Sequence, residues 1–76
     1  MTENQLGQIL KEMYENAPNG YKVANIHFFG VKYAKTIMDY GYSSSDIIRA
    51  SGLNPSYATE LSKGIKLARY VTPKES

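Results

Sequence analysis

Four breaks in the chain decide most of what it can fold into. Ala17-Pro18-Asn19-Gly20, Gly41, Gly52 and Gly64 divide it into short segments, within which apolar residues recur at spacings of three and four. That is the period of a helix buried along one face. Thr2 and Gln5 fit a capping box, and Leu6, Ile9, Leu10, Met13 and Tyr14 follow on one stripe, predicting an amphipathic helix over 3–16. Pro18 disfavours helix at the residue before it, and Asn19-Gly20 favours a turn. Val23, Ile26, Gly30, Tyr33, Ala34, Ile37 and Met38 then repeat with helical period and predict a central helix over 21–40. Phe28-Phe29-Gly30 leaves room there for a break or a close helix contact, and a strand over 23–29 is the competing reading. Gly41 suits the left-handed position that ends this helix.

Beyond Gly41, Ser43-Ser44-Ser45-Asp46 offers caps and a first-turn acid for a short helix over 44–51, with Ile47 and Ile48 turned inward. Asn54 can cap and Pro55 can open a second short helix over 55–63, ended by Gly64. Residues 65–72 read as one more helical turn or a short strand, and a terminal hairpin would make a winged helix. Short helix, glycine, apolar residue, cap and second short helix are the parts of a helix-turn-helix. Gly52 supplies positive φ, and Leu53 plugs the angle between the helices. Ala58 and Leu61 then face inward, while Ser56, Tyr57, Thr59, Glu60 and Lys63 face largely outward, as on a helix that enters a major groove.

Composition narrows the function classes. One domain over 1–76 is all that 76 residues allow, and a chain this short buries only about 60% of its unfolded surface. The absence of cysteine excludes a disulfide framework, a thiolate nucleophile and cysteine-ligated metal. The formal charge is only +2, but Lys63, Lys66, Arg69 and Lys74 cluster without an acid, as do Lys22, Lys32 and Lys35. The fold therefore has the means to present one electropositive face. No signal peptide or membrane span is evident, so a cytoplasmic protein without membrane contact is expected. His27, the single histidine, lies far along the chain from Asp39 and Asp46, and Ser43 to Ser45 lack a neighbouring base. No enzyme activity, catalytic residue, metal or cofactor is expected, and His27 reads as a half-buried helix residue with one ring nitrogen bonded. Of seven tyrosines, Tyr14, Tyr33 and Tyr40 are expected in or beside the core, and Tyr57 on the outward helix.

The stretch GYSSSDIIRASGLNPSYATELSKGIK, residues 41–66, resembles the helix-turn-helix of Cro-type and phage-repressor-type regulators, the xenobiotic-response-element family. Gly41, Ser43, Ile47, Gly52, Leu53, Ser56, Thr59 and Gly64 fall at that family's spacings without a gap. The resemblance implies a compact all-α domain of four or five helices, with the motif at 44–64, and sequence-selective binding of duplex DNA by a small transcriptional regulator. There are departures. Ser44 stands where the family usually has a phosphate-contacting Gln, Pro55 replaces a residue that often reads bases, and Ser62 stands where Glu is frequent. Too little chain follows Gly64 for the family's closing helices, so helix 3–16 is expected to take over their packing role.

On this reading Ser56, Tyr57, Thr59 and Glu60 face bases, with Glu60 repelling phosphate unless it accepts from a cytosine amino group. Ser44, Ser45, Asn54, Lys63 and Lys66 hold the DNA backbone. One such module covers only about 600–1,000 Å², so a homodimer is expected. Its contact would be the stripe of residues 6–14 or the Phe28-Phe29 pair. The rival reading is a small phage-type or mobile-element module that uses the scaffold to block or recruit another protein, favoured by Pro55, Glu60, low net charge and abundant tyrosine. A weaker rival is one domain of a larger DNA-processing protein.

Overall fold

The computed structural model describes residues 1–73; Lys74 lies outside them. Four helices follow one another: α1 (Glu3–Glu15), α2 (Lys22–Tyr40), α3 (Ser44–Ser51) and α4 (Tyr57–Leu67). The described residues contain no strand, so the alternatives at 23–29 and 65–72 both resolve as helix and turn. The fold is all-α, with four helices among the described residues.

Local chemistry sets the boundaries. Thr2 Oγ1 accepts from the Gln5 N–H at 3.1 Å, and Gln5 Oε1 accepts from the Thr2 N–H at 2.8 Å, closing the capping box of α1. Gly41 (φ 71°) ends α2 in the left-handed region that a Cβ disfavours. Leu6 and Leu10, Ile26, Phe29 and Ile37, Ile47 and Ile48, and Leu61 form one core drawn from all four helices.

Packing joins α2 chiefly to α4, and α1 chiefly to α3. Both junctions are made by glycine. A Cβ on Gly7 would stand 2.7 Å from the Ala50 carbonyl carbon, and one on Gly64 would stand 2.5 Å from the His27 carbonyl oxygen. Such distances leave no room for any side chain, so the helix backbones touch. Phe28-Phe29-Gly30 is thus a close helix contact, with no break in α2.

Several sequence expectations need correction. Gly64 does not end the fourth helix, which begins at Tyr57 and runs on to Leu67; Gly64 is its crossing point with α2. Burial of Leu6, Leu10 and Phe29 takes these three out of the two expected partner contacts, leaving Ile9, Met13 and Tyr14 half-buried and Phe28 exposed. Val23 and Met38, assigned to the inner stripe of α2, are exposed. Tyr40 is exposed at 59% and stacks on Tyr42, with ring centroids 5.5 Å apart. Lys22 leaves the basic set to donate to the Tyr14 carbonyl at 3.1 Å, its ammonium 5.0 Å from the Tyr14 ring.

Candidate nucleic-acid interface

Side-chain caps fix α3 and the turn that follows it. Ser43 Oγ caps α3 by accepting from the Asp46 N–H at 3.1 Å. Gly52 (φ 77°) reverses the chain after Ser51, as its place after the short helix requires. The buried Ser51 hydroxyl then donates to the Ile48 carbonyl at 2.6 Å and accepts from the Leu53 N–H at 3.1 Å, fixing the path out of the turn. Asn54 caps the next segment: its Oδ1 accepts from the Ser56 N–H at 2.9 Å. The Tyr57 and Ala58 N–H groups bond three residues back, to Asn54 and Pro55, so a tight turn occupies 54–57 and α4 starts two residues later than Pro55 alone would indicate. Leu53 and Ala58 rest against the core, as the plug and the inward face require.

Two short helices joined at a left-handed glycine, the second lying across the core with one face in solvent, make the geometry specific. Residues 2–74 match the HTH-like domain family. The chain belongs to that family. The match does not single out the Cro- and repressor-type group, and no curated protein and no solved structure matches the chain.

The outward face of this HTH-like domain is unevenly free. Ser45, Asn54, Ser56, Thr59, Lys63 and Lys66 are exposed. Tyr57 is half-buried against the core: its hydroxyl shares a hydrogen bond with the Tyr14 hydroxyl at 3.0 Å, and the rings lie 5.4 Å apart. That bond raises the Tyr57 pKa above its ordinary value. Glu60 is also half-buried, with Oε1 2.8 Å from His27 Nε2 and Oε2 3.5 Å from the Lys63 ammonium. The His27 hydrogen bond is the main cause holding the Glu60 carboxyl below its usual pKa, with Lys63 adding to it. Ser44 is half-buried and accepts from Ser62 Oγ at 2.8 Å, tying the start of α3 to α4.

His27 therefore sits as the sequence indicates, half-buried with a bonded ring nitrogen, but its partner lies 33 positions away. Nothing in local spacing marks that pairing, nor the Ser62–Ser44 bond. The Ser51 bonds do have a local signal, since a hydroxyl just before a helix-ending glycine is well placed to bond the turn. Among the described residues no three His, Asp or Glu side chains converge as a metal cluster, and no helix is long and apolar enough to cross a membrane.

Proposed function

We propose that this HTH-like domain binds duplex DNA sequence-selectively, as a small cytoplasmic transcriptional regulator without enzymatic activity, by placing the amino-terminal half of α4 in the major groove. The observation that carries the reading is the exposed set on one side of α4: Ser56 and Thr59 near its start, Lys63 and Lys66 one and two turns on. Ser56 and Thr59 meet base edges, while Lys63, Lys66, Ser45 and Asn54 meet phosphates and set register. Tyr57 and Glu60 stand beside this set. Tyr57 reaches DNA only past its bond to Tyr14, and Glu60 reads a cytosine amino group only where it leaves His27. Ser44 reaches a phosphate through the hydroxyl hydrogen that its bond to Ser62 leaves free.

Two copies supply the area one lacks, with the exposed Phe28 side chain of α2 at their contact, next to Val23 and Ala24 on the same helix. Titrating a labelled random duplex pool at several salt concentrations tests the reading by fluorescence anisotropy. DNA binding gives a linear fall of log affinity with log salt, at about 0.9 per phosphate neutralised. No binding at low salt by a folded protein would reject it in favour of the protein-binding reading, which the engagement of Tyr57 and Glu60 favours.

A further inference from the structure

His27 sits where one proton changes the charge beside the outward face of α4 and breaks no bond. Its Nε2 lies 2.8 Å from Glu60 Oε1, and the two side chains are 32% and 27% exposed. With its pKa held below the ordinary 4.5, Glu60 is a carboxylate at neutral pH. A carboxylate only accepts, so Nε2 carries a hydrogen, and in the neutral ring Nδ1 is left with a lone pair. Nδ1 has no partner among the described residues, and none of their buried side-chain nitrogens lacks one, so Nδ1 is open to water. A proton taken up there strengthens the bond to Glu60, which then carries charge at both ends.

Few charges surround the ring. From α4 and the residues after it, Glu60, Lys63, Lys66 and Tyr70 face His27. Its own helix carries no charged residue within one turn on either side. The other helix packed on α2, α1, makes no hydrogen bond or ion pair with it. Glu60 and Lys63, 3.5 Å apart, offset each other. Lys66 is therefore the one uncompensated charge beside the ring until the ring itself is protonated.

We propose that His27 makes DNA binding proton-linked: the domain takes up a proton at this ring as it binds a duplex, and binds more tightly as pH falls through the range in which histidine titrates. This rests on the reading that α4 faces DNA. Phosphates held at Lys63 and Lys66 favour the cationic ring, and by reciprocity the cationic ring favours the phosphates. Histidine is the side chain whose ordinary titration falls between about pH 5 and 8, and Glu60 and the phosphodiesters stay ionised through most of it. The formal charge of the chain is +2 with this ring neutral, so one more cation on the binding face is a large fraction of the whole.

The test follows the anisotropy of a labelled random duplex with the full chain, at one low salt concentration, from about pH 8 to about pH 5.5. Affinity should rise severalfold in the parent and by far less in His27→Gln, whose side-chain amide still offers Glu60 a donor. Raising the salt should flatten the parent's profile. His27 is the sole histidine, so its ring Cε1 proton gives one assignable NMR signal, and the midpoint of its titration should move to higher pH when the duplex is bound. That readout needs no variant. Superposed profiles for the parent and His27→Gln, or a midpoint that the duplex leaves in place, overturn the proposal and leave the DNA reading standing. Failure to bind the duplex at any of these pH values, by a chain that circular dichroism shows folded, overturns both.

Discussion

Gly30 of α2 and Gly64 of α4 meet backbone to backbone: a Cβ on Gly30 would stand 2.8 Å from the Gly64 carbonyl carbon. Two glycines face each other where the helices cross, and this contact sets how deeply α4 sits on the domain. The outward face of α4 inherits its height above the core from it.

Gly64→Ala puts two effects in opposition. Alanine favours the helix by about 1 kcal/mol, but its methyl would meet the His27 main chain, which cannot swing aside as a flexible side chain can. Overpacking of this kind costs about 1–3 kcal/mol or more. The helices must separate, and clash outweighs propensity. A net loss of about 2 kcal/mol lowers the melting temperature by about 8–16 °C in a domain of this size. Thermal unfolding followed by circular dichroism measures it, and a variant as stable as the parent would mean that α2 and α4 separate freely.

Ser51→Ala removes a hydroxyl that is 4% exposed and bonded on both sides. The Leu53 N–H loses its partner where water reaches poorly. A cost of about 1–3 kcal/mol follows, read from the urea midpoint at unchanged m-value. Ser45→Ala, at an exposed position in the first turn of the same helix, serves as the control and should shift stability by less than about 0.5 kcal/mol.

These two sites show what the chain reveals by itself and what it withholds. Boundaries set by local chemistry were legible: the Thr2–Gln5 box, the left-handed Gly41 and Gly52, and the Ser43 cap of α3 all depend on residues within one turn of each other. Gly64 misled because a helix-ending glycine and a helix-crossing glycine look alike until the second helix is placed. The same limit applied to the outward face of α4. Helical spacing alone puts Tyr57 and Glu60 outside, but Tyr14 and His27 draw them back from 43 and 33 positions away.

Glu60 gives stability a pH dependence of known sign. Its folded pKa lies below the ordinary 4.5 because the His27 hydrogen bond and the Lys63 charge favour the carboxylate. A carboxyl with depressed folded pKa adds stability above its unfolded pKa and loses it as pH falls through the folded value. The contribution is therefore complete above about pH 5.5 and lost progressively below about pH 4.5. Urea midpoints from pH 7 to pH 3 should fall less steeply for Glu60→Gln than for the parent across that lower window. Parallel curves would mean that the His27 bond does not hold in solution.

If the domain binds DNA as proposed, the same substitution separates stability from DNA binding, with opposite effects expected on the two. At pH 7 Glu60→Gln weakens the link from α4 to His27, so the protein should unfold at lower urea. It also removes an acid from beside the side of α4 proposed to face phosphate and releases Lys63, whose ammonium lies 3.5 Å from Oε2. Duplex affinity at low salt should rise severalfold as the acid's repulsion of phosphate is lost. Lys63→Ala should do the reverse, lowering the slope by about 1 and weakening all duplexes alike. Thr59→Ala should leave the slope intact and flatten the preference among sequences, as a base contact does. If Glu60→Gln lowered affinity for a selected site while leaving the salt slope unchanged, Glu60 would instead be reading a base, and its bond to His27 would be given up on the DNA.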